Sequence, residues 1–329
     1  MPVDKERIGS FYEKYLGRQP DIPGLEHFQQ YDVPIDVERA IIGSDEFRRN
    51  DRLVRFPGTL VAWKICILEE AKLIFVPIAK NAHTSILSAL LKLRGIDWRA
   101  FPIHDELCAR FGTDDDKVHA VLASHDTGLL LKDLSPDRID KILRDPEYLR
   151  VTVFRDPLDR IVSACNHFFV QEAKNPLAQQ HAAQVVNAFE HAPDTHTISN
   201  PCEFWLRRLI KFLALNRHIE HDPHWAPQYE YIKGLRIDHI VPIERLDILE
   251  KIVAARSGKR LHIESRNARG TRDGSRDAMN QELRDAIEEY YWIDRNLYEA
   301  ARTNASELDR QFGGSLEYTG RQPAQVTPR

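Results

Sequence analysis

No apolar run in this 329-residue sequence approaches the roughly 18 residues that a membrane-spanning helix needs. The amino terminus, MPVDKERIGS, has no apolar core of the kind a secretory leader carries, so a cytoplasmic chain is expected. Cysteine is scarce. The four residues Cys66, Cys108, Cys165 and Cys202 lie far apart with no C-x-x-C pair, which argues against a disulfide framework and against zinc, and suits a reducing compartment. No H-E-x-x-H occurs either, so no metal site is expected. A charge excess is also lacking: the formal net charge is -4, which implies no broad affinity for nucleic acid or for an anionic membrane. Any anion site must be local.

What is present is an apolar fraction of 42%, enough at this length for one large α/β domain with a small appendage. The first fifty residues are helical in pattern, punctuated by Pro20, Pro23, Gly24 and Pro34, and they close on charged FRRNDR before Pro57-Gly58. We therefore expect a helical module over 1–56, a main domain over 57–312 and a disordered tail over 313–329, where apolar residues are few. The stretch FYEKYLGRQPDIPGL, followed by GSDEF, resembles a short bacterial helical module of unknown function. The resemblance implies either a cap packed on the main domain or a docking element.

From Thr59 onward, short β-branched runs alternate with stretches of helical period, the pattern of a parallel sheet flanked by helices. Candidate strands are 73–77, 118–123, 149–154 and 239–243, and just beyond their ends stand Lys80, His125, Arg155 and Glu244. Ligands of open α/β sheets bind outside the carboxyl ends of strands, so the four ends are expected to share one site.

The first of these ends reads IFVPIAKNAHTSI, a strand turning into a helix with Thr84 or Ser85 as its expected cap and Ile86, Leu87, Leu90 and Leu91 as its inner stripe. Unpaired N–H groups and the helix dipole make such a turn an anion site, to which Lys80 adds a mobile charge. The loop is not G-x-x-x-x-G-K-[ST]: it has no glycine and its lysine comes early, which disfavours an ATP-using kinase. YLRVTVFRDPLDRIVSACNHFF repeats the logic, with Asp156 as N-cap, Pro157 as the first helical residue and Asp159 as its capping partner. Arg155 before the helix can grip a phosphate with its fork, and Arg160, Ser163 and His167 are expected on the polar face.

Together IAKNAHTSI and FRDPLDRIVSA resemble the paired nucleotide-binding elements of the sulfotransferases, nearest to their carbohydrate branch. HDPHWAPQYEYI looks like the H-W-x-P-Q segment of that branch, and ELRDAIEEYYWIDRNLY like its C-terminal helix. The resemblance implies a P-loop-like α/β fold, 3'-phosphoadenosine 5'-phosphosulfate as sulfate donor, and a carbohydrate or glycolipid hydroxyl as acceptor. It implies that Lys80 neutralises the bridging or leaving oxygen, while Asn81, Ala82, His83, Thr84 and Ser85 hold the 5'-phosphate through backbone and hydroxyls. Arg155 and Ser163 would hold the 3'-phosphate, and Arg272 or Arg269 in the arginine-rich stretch 256–276 would close over the nucleotide. Ala79 and His83 depart from the family pattern, which has proline before the lysine and glycine or cysteine in the loop. The absence of a signal anchor fits a bacterial cytosolic enzyme.

An acceptor hydroxyl needs a base, and histidine, with an ordinary pKa near 6.5, is suited to it at neutral pH. Of fourteen histidines, His125 in VLASHDTG resembles the family histidine of its segment, with Asp126 beside it; His224 and Glu244 are the alternatives. The competing function is an inactive nucleotide-binding relative acting as a regulatory or scaffolding module. Nothing in the sequence names the acceptor.

Overall fold

Short runs of Leu, Ile, Val and Phe that are buried on both faces build the sheet. The computed structural model describes residues 3–16, 18–32, 64–100, 117–189, 200–219, 221–233, 235–264 and 279–313, with positions 36, 37, 40, 41, 44 and 46. Strands β1 (Cys66–Leu68), β2 (Leu73–Val76), β3 (Leu149–Phe154) and β4 (His239–Pro242) form one four-stranded sheet in the order β1-β2-β3-β4. β2, β3 and β4 run parallel, whereas β1 pairs antiparallel with β2. The sheet is thus mixed rather than wholly parallel. Its antiparallel edge escapes a sequence reading because three residues are too few to show a period, and the tight turn Glu69–Ala71 returns the chain through Lys72 at φ 43°.

A second correction concerns 118–123, which is no strand but the middle of the helix Lys117–Ser124. Val118, Val121 and Leu122 recur at helical spacing and are all buried. A six-residue apolar run cannot by itself be told from a buried strand.

The described residues gather into two compact units, one within 1–62, 157–236 and 271–294, the other within 63–156, 237–270 and 295–329. In the second, the helices His83–Leu93, Lys117–Ser124 and Leu246–Ser257 pack with the sheet around Phe75, Ile86, Leu90, Val121, Val151 and Ile252. Arg256, expected in a basic loop, instead ends the last of these helices and donates to the carbonyls of Ala71 and Glu147 at 2.7 and 2.6 Å. Gly258 closes that helix at φ 68°, a left-handed position where glycine carries no strain.

In the first unit, the helices Pro157–Cys165, Pro176–Asn187, Pro201–Leu215 and Gln281–Tyr290 enclose Ile161, Phe169, Trp205, Leu209, Trp225 and Ile287. The amino-terminal helices Lys5–Leu16 and Ile22–Phe28 also belong to it. Asp21 caps the second of them by accepting from the Gly24 N–H at 2.9 Å. Arg269, Arg272 and the segment 314–329 lie outside the described residues. No described helix is long and apolar enough to cross a membrane.

Candidate functional site

Parallel pairing sets Val76 of β2 opposite Thr152 of β3, so the two strands end on one edge and the turns that leave them start side by side. Lys80 comes four residues after β2, and Arg155 comes directly after β3. Arg155 Nη1 donates to the main-chain oxygen of Lys80 at 3.3 Å. The two cationic elements, separate in sequence, meet there.

Lys80 and Ala82 have φ of 67° and 56°, two of the three positive values at non-glycine residues among those described. Such a conformation costs on the order of 1–3 kcal/mol per residue and persists only where the surroundings enforce it. Enforcement comes from Asn81, which is buried and donates through Nδ2 to the Val153 carbonyl at 2.8 Å. Left-handed residues in such a turn gather successive N–H groups into an anion-binding hollow. The helix itself begins at His83 with Ala82 in the cap position, which corrects the expectation that Thr84 or Ser85 caps it; both lie inside the first turn. A cap without a side-chain acceptor leaves the first N–H groups of the helix to other partners.

Thr84 Oγ1 lies 3.0 Å from His119 Nε2, and the His83 ring stacks on His119 with centroids 4.8 Å apart. His119 was not legible as a site residue, since it belongs to no motif and to a segment read as strand. His125 stands at the end of the same helix, its N–H donating to the Val121 carbonyl, so its expected place at a strand end is corrected. Asp126 accepts from the Gly128 N–H at 2.9 Å. Beyond β4, Glu244 accepts from the Tyr298 hydroxyl at 3.0 Å.

In the first unit Ser163 is half-buried, two turns into the helix that starts at Pro157. Arg160, expected on a polar face, is 1% exposed. Its fork donates to the carbonyls of Ala226 and Pro223 at 2.8 and 2.9 Å, which is what brings a guanidinium inside. Tyr291 donates to the Trp225 carbonyl at 2.6 Å, and Asp294 accepts from the N–H groups of Gln228 and Tyr229 at 2.6 and 2.9 Å. Three quoted fragments therefore interlock, and their polar residues hold the backbone of HWAPQ.

These observations match a known family. A profile of the sulfotransferase family covers residues 63–299, well over half of the chain. The chain belongs to the sulfotransferase family. No curated protein and no solved structure matches it.

In this sulfotransferase a cavity of about 340 Å³ lies against the helix His83–Leu93. Ser85, Ser88, Lys92, Trp98, Arg99 and His262 are among the residues that line it. Trp98 donates to Ser88 Oγ at 2.8 Å, and the Arg99 guanidinium lies 4.5 Å from the Trp98 ring centroid. The volume falls within the range of small-molecule sites.

Asp294 is fully buried where it accepts the N–H groups of Gln228 and Tyr229. Burial raises its pKa to about 6, against the opposing pull of the two N–H donors and Arg160. The folded value stands above the unfolded one, near 3.9, so the stability this group contributes is complete below about pH 4 and fades as pH rises through 6. Asp294→Asn should flatten melting temperature between pH 4.5 and 7.5 relative to the parent. Asp294→Ala, which leaves two buried N–H groups without an acceptor, should cost about 2–5 kcal/mol in denaturant unfolding at either pH. An Ala variant as stable as the parent would show that the interlock contributes nothing.

The sequence spacing shows no grouping of His with carboxylates, and the fold brings one together. His181 Nδ1 and His224 Nδ1 approach the two oxygens of Asp222 at 2.6 and 2.7 Å. Burial works against the charged form of Asp222, yet the hydrogen bonds from both histidines hold it well below the usual carboxylate range. Spacing hid this trio, because His181 lies 41 residues before Asp222.

Proposed function

We propose that this sulfotransferase moves a sulfuryl group from 3'-phosphoadenosine 5'-phosphosulfate to a hydroxyl of a carbohydrate or glycolipid. The observation that supports it best is the 3.3 Å contact of Arg155 with the Lys80 carbonyl, which sets an anion-binding turn beside a guanidinium fork. When bound, the donor supplies an activated sulfuryl group. Sulfuryl transfer resembles phosphoryl transfer, in which positioning and electrostatics do the catalysis.

In this reading Lys80 stabilises negative charge growing on the leaving oxygen. The N–H groups of 81–84 and the hydroxyls of Thr84 and Ser85 hold the 5'-phosphate. Arg155 and Ser163 hold the 3'-phosphate, and Arg272 completes the nucleotide contacts. His125 is the base that takes the acceptor proton. A second candidate for that role is His119, favoured by its 3.0 Å contact with Thr84 Oγ1.

The test is transfer of radiolabelled sulfate to a panel of glycans and glycolipids. Label should move from the 3'-phosphorylated donor and not from adenosine 5'-phosphosulfate. Binding of 3'-phosphoadenosine 5'-phosphate without any turnover across the panel would favour the inactive relative. Of His119→Ala and His125→Ala, the base variant should lose about 10²–10⁴-fold in kcat together with the acid limb of the pH–rate profile. Full activity in both would exclude a histidine base on this helix.

A further inference from the structure

We propose that His181, Asp222 and His224 form a binding site for one divalent transition-metal ion, with zinc the best fit. The three side chains offer donor atoms that all lie within 4.8 Å of one another. Two imidazoles and one carboxylate are the borderline donors zinc takes, and three protein ligands leave a fourth position for water. In a tetrahedral site with bonds of about 2.0–2.1 Å, neighbouring donor atoms stand roughly 3.3 Å apart. The histidines now contact different oxygens of the carboxylate, at 2.6 and 2.7 Å, so the ion replaces these two hydrogen bonds and each imidazole presents its Nδ1 deprotonated.

The backbone that presents them is fixed. Asp222 opens a turn in which its carbonyl accepts from the N–H groups of Trp225 and Ala226 at 3.1 and 2.8 Å, and its Oδ1 also accepts from the His224 N–H at 2.9 Å. Arg160 holds both Pro223 and Ala226 by their carbonyls, and Trp225 is fully buried. His181 comes from the helix Pro176–Asn187, whose inner face packs through Ala178, Ala182 and Val185. Phe168 covers the pair of imidazoles, 5.3 Å from His181 and 4.4 Å from His224 between ring centroids, and keeps water from that side. The side chains of His181 and His224 remain 28% and 21% exposed, which is the path by which an ion enters. A preorganised ligand set of this kind binds without refolding, and the ion ties the helix Pro176–Asn187 to the HWAPQ turn. This inference stands apart from the sulfuryl-transfer reading.

The full chain, stripped with a chelator and dialysed, is titrated with zinc(II) or cobalt(II) by calorimetry, with visible absorption followed for cobalt. One ion per chain should bind, cobalt should give the intense bands of a four-coordinate site, and zinc should raise the melting temperature by mass action. His181→Gln and Asp222→Asn should each weaken binding by at least about tenfold and abolish the cobalt bands. Wild-type protein that neither takes up zinc nor develops cobalt bands overturns the proposal. So does binding that survives in His181→Gln, because that histidine lies on a helix surface and its loss leaves the fold intact. Magnesium at equal concentration should not compete, and competition by it would equally overturn the assignment.

Discussion

Lys80→Ala lowers turnover by about 10²–10³-fold while 3'-phosphoadenosine 5'-phosphate binds within a few-fold of its original affinity. That split follows from what the residue is asked to do. Charge on the leaving oxygen exists only as the bond breaks, so an ammonium aimed at it acts on the transition state rather than on the resting complex. Removing one such preorganised electrostatic contact costs roughly 10²–10³ in kcat. In the proposed reading the ground-state phosphate is gripped by main-chain N–H groups at a turn locked by Asn81, and the substitution leaves Asn81 in place. Alanine in the left-handed conformation at φ 67° is as strained as lysine, so the fold survives the change. Steady-state kinetics and calorimetry on the same preparation check it. A fall in nucleotide affinity as large as the fall in kcat would make Lys80 a binding residue only, and the leaving-group role would be withdrawn.

Arg155→Ala removes most of the discrimination between 3'-phosphoadenosine 5'-phosphate and AMP. The parent should prefer the doubly phosphorylated nucleotide by about 10–150-fold, the worth of a charge-assisted hydrogen-bonded contact of roughly 1.5–3 kcal/mol. The variant should lose most of that preference, keeping only what Ser163 supplies, with the affinity for AMP lowered by no more than a few-fold. Arg155→Lys restores charge but not the fork, so it should recover only part of the preference. Since Arg155 also donates to the Lys80 carbonyl, some loosening of the loop is expected, and a parallel titration with AMP separates that effect from lost 3'-phosphate recognition. Equal binding of the two nucleotides by the parent protein would remove the ground for the proposed donor.

Much of the scaffold was legible because its signals are local. Strand β2 is a continuous apolar run and β3 and β4 end on buried apolar residues, with polar residues just beyond each and a helix starting within seven residues of the first two. Arg160 shows where such reading fails. Its position in the helical pattern is that of a polar face, yet two carbonyls from a segment more than 60 residues away satisfy its guanidinium inside the protein. The helix around His119 fails for a related reason: an apolar stretch of six residues suits either regular structure, and only packing on the core selects one.

Sequence by itself marked the strand-to-helix turns after β2 and β3, since hydrophobic periodicity, proline at a helix start and small residues around Lys80 act over a few residues of chain. It also determined the family, because the two anion elements each carry their signal in about ten residues. Tertiary structure alone decided that Arg155 meets the Lys80 loop, that the three distant fragments lock together through Arg160, Tyr291 and Asp294, and that two histidines close on Asp222. Parallel strand register and burial bring these groups together across dozens of residues. The free energy that does so belongs to the folded core and has no local imprint on the chain.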